Sequence, residues 1–400
     1  MRFLDELTAP VGAEEFLAKI YGRTFHAFPG DPDRFGKVFG WADLNEILAT
    51  HRLDDSQLDL LHGSKLVHHS AYTTKETSKN GIRWHRLVPK RLSVHLLAGA
   101  TLRLREVDQA HRGVGELAAA LERELRERIR VNAYANCTRA ESSAVHCDDH
   151  DVVVLQVAGA KRWRLYGPAQ PLPLPDDPDH PAVERRDPGP DPVALLQLDQ
   201  GQALYLPRGW WHAAQAFKGP SLHLTVGIYR STGVDLLHWL VERLRNDETV
   251  RADLPRHDVA TAQQEYLDRI RELVSTQLAD PEVMTRMLAD QDAREPVDLG
   301  LSFPLRVPDG PGLLEGEFTR IRLLARRAVL EHDGDDVVLR AGAQSHRYGA
   351  HLARMLQLLV TGQTAAIAEL AAACGDAVSE ADIRTLLDPL IADGLVSIVP

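Results

Sequence analysis

The sequence VHCDDHD at residues 145–151, followed far downstream by LPRGWWH at residues 206–212, carries the most information about this chain. His146 and Asp148 form an H-x-D pair. On a β-strand the two side chains lie on one face, because side chains alternate with a period of two residues. Both can therefore point into a barrel. His212 follows a Pro-Arg-Gly turn directly after a predicted strand, where a ligand at a barrel mouth would sit.

The three side chains offer a metal two imidazole nitrogens and one carboxylate. A facial set of this kind suits Fe(II) and leaves positions open for other ligands. An H-x-D pair is common by chance, and the chain has 18 histidines. An ordinary polar strand end, with His212 as a rim residue beside two tryptophans, is the alternative. On the same strand His150 would lie on the same face as His146 and Asp148. It is therefore either a competing ligand or a residue of an acidic turn behind the ligands.

Four short β-branched or aromatic runs, divided by Gly and Pro, predict an antiparallel sandwich or barrel over residues 131–230. They lie at residues 152–155, 162–166, 203–206 and 221–226. The Pro- and Asp-rich segment 167–192 cannot continue a central strand. We expect it to be a surface excursion near the substrate entrance.

The hydrophobic period becomes helical after residue 231. One apolar stripe comprises Val234, Leu237, Val241 and Leu244, with Ser231 or Thr232 as the helix cap, and a second comprises Leu267, Ile270, Val274 and Leu278. Two such amphipathic helices either pack on the β core or form a dimer interface.

A Pro- and Gly-rich stretch at residues 303–312 predicts the approach to a third unit. Beyond it, apolar residues mark two helices, and Asp393-Gly394 turns into a terminal strand at residues 395–398. Helix, turn, helix and strand resemble a winged helix. The acidic residues of this unit favour protein interaction or packing over DNA binding.

The composition is that of a globular protein of more than one unit, with 400 residues, 44% apolar and 26% charged. The formal net charge of -11 argues against a basic face over the whole molecule, so a nucleic-acid partner is not expected. Four arginines, at positions 123, 126, 128 and 130, are interleaved with glutamates. We interpret them as the solvated face of a helix.

The three cysteines form no CxxC pair, which favours a reducing compartment, and we expect a cytoplasmic protein. The N-terminus lacks an apolar signal region, and no run approaches the ~20 apolar residues of a membrane span.

Five segments together resemble the JmjC-domain ribosomal oxygenases of the cupin superfamily. They are NAY at residues 132–134, HCDD at 146–149, LQVAGAKRWRLY at 155–166, LPRGWWH at 206–212 and SLHLT at 221–225. The resemblance implies an α+β fold, with a double-stranded β-helix (jelly-roll) core, a helical dimerisation segment and a winged-helix-like C-terminal domain. The predicted domains are residues 1–230 (catalytic), 231–295 (helical) and 296–400 (winged-helix-like).

The resemblance also implies roles for individual residues. His146, Asp148 and His212 would bind Fe(II), and Lys161 would hold the distal carboxylate of the co-substrate 2-oxoglutarate. A lysine at a hairpin is otherwise a solvated residue. Asn132, Tyr134 and Thr225 would line the pocket, or be strand residues satisfied locally.

The implied reaction uses O2 to hydroxylate a side chain in a protein or peptide, either a ribosomal protein or a peptide natural-product precursor. No feature of the sequence supports a methyl-lysine site. The alternatives are a non-catalytic metal-binding cupin and a cupin-linked transcriptional regulator. The sequence leaves the substrate and the oligomeric state open.

Overall fold

The computed structural model describes residues 3–63, 65–141, 145–168, 172–175, 177, 191–300, 320–375 and 378–399. The chain divides into two compact units, residues 1–230 and 231–400. Most of the segment at 167–192 and all of the stretch at 303–312 lie outside the described residues.

The first unit combines helices with a β core. Its helices are α1 (Phe3–Thr8), α2 (Ala13–Glu15), α3 (Trp41–Thr50), α4 (Pro89–Leu97), α5 (Val107–Ala110) and α6 (Arg112–Leu125). Its strands are β1 (His26–Phe28), β2 (Leu58–His62), β3 (Lys65–Leu66), β4 (Thr73–Thr77), β5 (Arg83–Leu87), β6 (Thr101–Leu104), β7 (Arg128–Asn136), β8 (Ala140–Glu141), β9 (Asp151–Ala158), β10 (Ala160–Pro168), β11 (Ala194–Asp199), β12 (Ala203–Leu206), β13 (Trp210–Ala216) and β14 (Ser221–Tyr229).

Strands β7 to β14 are divided between two sheets. The larger sheet has the order β1-β12-β9-β14-β7-β6-β2-β3, and the smaller one has the order β11-β10-β13-β8. All of these pairings are antiparallel. This is the strand order expected of the predicted jelly roll, and the four predicted strand runs lie in β9, β10, β12 and β14.

The side-chain alternation of β14 separates two environments. Leu222, Leu224 and Val226 pack into the large core that also contains α1, α3 and α6. His223 and Thr225 point to the opposite face, toward the space between the two sheets. An apolar cluster fills part of that space; it consists of Val152, Val154, Trp163, Leu165, Leu198, Leu204, Leu206 and Ala214.

The arginines predicted to share one helical face do not do so. Arg123 lies on α6, but the helix ends at Leu125 and Arg126 adopts a left-handed conformation with φ of 56°. Arg128 and Arg130 lie on β7. The local charge pattern did not reveal where the helix stops.

The second unit begins with helices and continues as a mixed α/β structure. Its helices are α7 (Gly233–Leu244), α8 (Glu248–Arg251), α9 (Ala260–Leu278), α10 (Val283–Arg294), α11 (Ala353–Val360), α12 (Ile367–Cys374) and α13 (Glu380–Ala392). Its strands are β15 (Arg320–Leu323), β16 (Val329–Asp333), β17 (Asp336–Ala341), β18 (Gln344–Gly349), β19 (Ala365–Ala366) and β20 (Val396–Val399).

The two predicted amphipathic helices are α7 and α9. Thr232 caps α7, where its hydroxyl and the carboxylate of Asp235 form a capping box. Trp239 and Leu240 are the buried residues of α7 and pack with Val283 and Met287 of α10. The predicted stripe lies on another face of α7, with Leu237 and Val241 56% and 59% exposed.

The C-terminal part has its own apolar core, built by α11, α12, α13 and the strands around them. Strands β19, β15 and β20 form one antiparallel sheet, and β16, β17 and β18 form a second. The two predicted helices and the terminal strand are α12, α13 and β20. This core is joined to α10, since the guanidinium of Arg340 lies 2.6 Å from the carboxylate of Asp290.

Candidate metal centre

Two motifs far apart in the chain are joined by backbone hydrogen bonds. The amide of His146 donates to the carbonyl of His212 (3.1 Å), and the amide of His212 donates to the carbonyl of His146 (2.8 Å). The amide of Gly209 donates to the carbonyl of Asp148 (2.9 Å). The H-x-D pair and the turn before β13 therefore form one rigid element.

The structure brings His146, Asp148 and His212 together, as the sequence predicts. The H-x-D pair does not lie on a strand as expected, because His146 forms only an isolated bridge with His212 and Asp148 lies in irregular structure. One ligand atom from each of the three lies within 4.8 Å of the others. The Nδ1 of His212 lies 2.9 Å from the carbonyl oxygen of Trp210. A proton on that nitrogen leaves the Nε2 lone pair free, and Nε2 lies 3.7 Å from a carboxylate oxygen of Asp148. Within the described parts of the chain, no other group of three such residues could hold a metal ion.

The electrostatics suit a cation. Burial raises the pKa of the Asp148 carboxyl, but the surrounding His146, His150 and His212 hold it below its ordinary value. Burial, followed by the neighbouring His146, lowers the pKa of His212 to about 4. At neutral pH this cluster therefore offers a carboxylate and an imidazole with a free lone pair.

His150 lies beside this group rather than in it. Its Nδ1 is 2.6 Å from a carboxylate oxygen of Asp149, and its ring stacks on Tyr229 with 4.6 Å between centroids. Gly227 permits this position, because a Cβ there would lie 2.9 Å from the His150 ring. The side chain is already engaged, which favours the interpretation of His150 as a residue behind the ligands.

Lys161 is not the solvated hairpin residue that its sequence context allows. It lies on β10, is 0% exposed, and its Nζ has no hydrogen-bond partner among the described residues. Burial lowers its pKa to about 7. A buried cationic group without a partner is costly, so an anionic partner would be favourable at this position.

His223 connects Lys161 with the triad, and sequence reasoning did not single it out. It stacks on Tyr134 (centroids 5.0 Å apart, planes at 5°) and lies 6.0 Å from the ring of Trp163. Trp163 in turn lies 5.8 Å from the ring of His212. Burial and then the charge of Lys161 lower the pKa of His223 well below its ordinary value, which makes this wall neutral. The sequence could have indicated His223, because it lies two residues before Thr225 in the SLHLT segment and therefore on the same face of the strand.

The other predicted pocket residues have local partners. Asn132 accepts a hydrogen bond through Oδ1 from the amide of Glu106 (3.0 Å), as the alternative interpretation expected. Thr225 lies opposite Asn132 in the sheet and is half-buried. The Tyr134 hydroxyl is hydrogen-bonded to Arg103; burial raises its pKa and Arg103 lowers it.

Asp151 is a second residue that the sequence did not reveal. It is completely buried at the start of β9, accepts a hydrogen bond from the Tyr205 hydroxyl (2.5 Å), and accepts another from the amide of Arg208 (2.9 Å). The guanidinium of Arg230 lies 3.5 Å away. The carboxylate thereby fixes the turn that leads to His212. An acidic residue directly before an apolar run was the only signal in the sequence.

Comparisons with known proteins identify a matching family and related sequences. Residues 112–236 match the family described as the JmjC domain. The chain is 31% identical to the bifunctional lysine-specific demethylase and histidyl-hydroxylase NO66 of Drosophila persimilis, over 41% of this chain and 25% of that protein. It is 28% identical to human ribosomal oxygenase 1, over 59% of this chain and 36% of that protein. The chain thus spans about a quarter to a third of these relatives.

Among solved structures, ycfD of Escherichia coli has a similar fold. The TM-score is 0.61 at 16% sequence identity, and the match covers 98% of this chain and 99% of that one. The complex of that ribosomal oxygenase with cobalt and 2-oxoglutarate has a TM-score of 0.58 at 17% identity, and covers 97% and 98%. At this identity the similarity concerns the fold.

The described part of the chain contains no helix that is both long and apolar enough to span a bilayer. The resemblance predicted from the five motifs is confirmed, since residues 112–236 match the JmjC domain family.

Proposed function

We propose that this chain is an Fe(II)- and 2-oxoglutarate-dependent oxygenase that hydroxylates a side chain in a protein or peptide. The observation that carries the proposal is the pairing of two features inside one jelly roll. A two-histidine, one-carboxylate group stands at the mouth. The buried ammonium group of Lys161, on β10, has no partner in the part of the chain that the structure describes.

Each feature answers a different requirement. His146, Asp148 and His212 provide the nitrogen and oxygen donors that Fe(II) prefers. The partnerless ammonium of Lys161 fits the distal carboxylate of a dicarboxylic co-substrate, since a buried ion pair removes the cost of an isolated charge. A structural cupin has no need of such a lysine.

With iron and 2-oxoglutarate bound, the centre supplies the oxidation of a C–H bond by O2, with succinate and CO2 as co-products. The protein's own residues orient and shield this reaction. Asp151 and the backbone bonds between His146 and His212 hold the ligands in place. Trp163 and His223 provide an uncharged wall that excludes water.

The proposal is tested by 2-oxoglutarate-dependent succinate formation with Fe(II) and ascorbate. We expect turnover from the wild type and none from Asp148→Ala, which removes one ligand at the site mouth. Asp199→Ala, an exposed carboxylate on β11, is the matched control and should retain activity.

Two outcomes of this assay would contradict the proposal. Turnover retained by Asp148→Ala would refute the metal assignment. An unchanged 2-oxoglutarate requirement in Lys161→Ala, beside the control Lys218→Ala at an exposed position, would remove Lys161 from its role.

The proposed class of substrate is based on the names of the relatives, a lysine-specific demethylase and histidyl-hydroxylase and a ribosomal oxygenase. For this chain we propose a ribosomal protein or a peptide natural-product precursor. If neither succinate formation nor 2-oxoglutarate binding is found, a non-catalytic metal-binding cupin becomes the better interpretation. Binding of a DNA duplex by the C-terminal part would favour a cupin-linked regulator instead.

We further propose that residues 231–295 form a homodimer interface. Support comes from apolar side chains of α7, α9 and α10 that remain exposed, namely Val234, Leu237, Val241, Leu267, Leu278 and Met284. Isolated apolar residues on a surface are normal, but a stripe along packed helices marks an interaction site. Analytical ultracentrifugation should show a dimer that Leu237→Asp/Val241→Asp dissociates, and a wild-type monomer at high concentration would contradict this.

The C-terminal order α11, β19, α12, α13 and β20 supports a winged-helix-like domain in residues 296–400, and we propose the three-domain division on that basis. Its acidic surface favours a protein partner. We propose a cytoplasmic location, since Cys137, Cys147 and Cys374 are unpaired thiols.

A further inference from the structure

Charge is distributed unevenly along the chain. Between His62 and His95 there are seven lysines and arginines, and the only acidic residue is Glu76. Five histidines lie in the same segment, whereas the whole chain has a formal net charge of -11. So many basic residues in one segment of an acidic protein indicate a binding site for a polyanion.

The centre of this segment is the β4–β5 hairpin. The two strands pair only with each other, as a separate two-stranded sheet. Lys75 lies opposite His85, and Thr77 lies opposite Arg83. The hairpin is anchored at its base, where the Tyr72 hydroxyl donates to the carbonyl of Leu58 (3.1 Å). Its charged side chains are therefore displayed by a fixed element.

A cavity of about 480 Å³ opens between this hairpin and the loop at residues 52–55. Arg52, Lys75, Arg83 and His85 line it, together with Leu53, Asp54, Asp55 and Trp84. The carboxylate of Asp54 is already engaged by the amide (2.8 Å) and hydroxyl (2.5 Å) of Ser56. Lys75 and Arg83 make no ion pair with any residue that the structure describes. The cavity thus presents the unpaired cations Lys75 and Arg83, with the Asp55 carboxylate beside them.

The same cavity contains a stacking group. The guanidinium of Arg52 lies over the ring of Trp84 at 4.8 Å from its centroid, and both are accessible. Bases stack on tryptophan rings and on guanidinium planes, which gives nucleic-acid affinity without sequence preference. The carboxylates of an acidic peptide would not stack on this tryptophan ring.

We propose that the β4–β5 hairpin and its cavity form a binding site for a single-stranded nucleic acid, with Lys75 and Arg83 on phosphates and Trp84 under a base. The site is independent of the oxygenase reaction. The net charge of -11 argued against a nucleic-acid partner, but only for the surface as a whole. A local basic surface can bind a polyanion even when the whole protein is acidic.

The test is fluorescence anisotropy of a labelled oligouridylate of about twelve nucleotides, a length suited to sequence-tolerant single-strand sites. The full-length wild type should bind at about 50 mM salt and lose affinity steeply toward 200 mM. Lys75→Glu/Arg83→Glu should reduce affinity at least about tenfold and flatten the salt dependence, because two phosphate contacts become repulsive. Lys19→Glu/Lys37→Glu, the same charge change at exposed lysines elsewhere, should retain binding.

Trp84→Ala should weaken binding by roughly tenfold, the loss typical of one stacked base. Circular dichroism of each variant checks that it is folded, and Lys75→Gln/Arg83→Gln provides a milder change at the same positions. Absence of wild-type binding, or an equal loss in the Lys19→Glu/Lys37→Glu control, would overturn the site. Polyglutamate that competes as well as RNA, or a Trp84→Ala variant with unchanged affinity, would overturn the assignment to a nucleic acid.

Discussion

Replacement of Lys161 by methionine should stabilise the protein when no 2-oxoglutarate is present. The side chain is completely buried and its ammonium has no partner among the described residues. Burial lowers its pKa from 10.5 to about 7, which corresponds to roughly 5 kcal/mol against the charged form. Methionine keeps most of the aliphatic stem and removes the charge.

The effect depends on pH with a definite sign. The unfolded chain keeps this proton up to pH 10.5, whereas the folded protein releases it near pH 7. The wild type is therefore penalised fully below pH 7 and regains stability as the pH rises toward 10.5. We expect Lys161→Met to raise the free energy of unfolding by about 3 kcal/mol at pH 6, after allowance for relaxation around the charge. The gain should fall to about 1 kcal/mol near pH 10.

Urea unfolding followed by intrinsic fluorescence measures this difference, since five of the six tryptophans lie in residues 1–230. Lys218→Met, at a 57% exposed position, is the control and should change stability by less than about 0.5 kcal/mol. Saturating 2-oxoglutarate, at about 100 times its Kd, should stabilise the wild type by about 3 kcal/mol and the Lys161→Met variant by much less.

A destabilised Lys161→Met variant at pH 6, with an unchanged urea dependence, would refute the reasoning. It would mean that the ammonium has a favourable partner in the folded protein. Equal stabilisation of both proteins by 2-oxoglutarate would show that the ligand does not contact this side chain.

Three further predictions concern the site and the β core that supports it. The affinity for 2-oxoglutarate should fall as the pH rises from about 7 to 9, because the free Lys161 loses its proton there, and calorimetry should find no such slope in Lys161→Met. Asp151→Asn should lower stability by about 1–3 kcal/mol in thermal denaturation, since the buried carboxylate accepts from Tyr205 and a backbone amide; an unchanged melting temperature would contradict this. Gly159→Ala should cost about 1–3 kcal/mol, because φ is +67° and a Cβ would collide with a backbone carbonyl. Gly334→Ala, at a similar positive φ (+63°) but with no atom within 4 Å of the added Cβ, is the control and should cost less.

Much of the β core was predictable because strand patterns are local. The apolar runs at 152–155, 203–206 and 221–226 lie in strands. The H-x-D pair was recognised by its residue types, but it does not lie on a strand, since His146 forms only an isolated bridge with His212 and Asp148 lies in irregular structure. The turn before His212 was also recognisable from its Pro and Gly. In these strands and in this turn, the local sequence pattern and the turn chemistry determine the secondary structure.

Burial, by contrast, was decided by which distant segments cover a residue. The hairpin context of Lys161 allowed a solvated side chain, yet neighbouring strands enclose it completely. Asp151 acquires its partners from residues at 205, 208 and 230, which no local pattern connects. The stripe on α7 looked like a packing face, and the tertiary structure leaves it open.

The sequence by itself thus determined four strand segments of the β core, four helices of the second unit and the identity of the metal-binding candidates, since periodicity and residue chemistry are properties of short segments. Only the tertiary structure decided that Lys161 lacks a partner among the described residues, that His223 lies between it and the triad, and that basic residues meet around one cavity. These properties depend on long-range contacts, and their electrostatic consequences arise from the removal of water by segments far away in the chain.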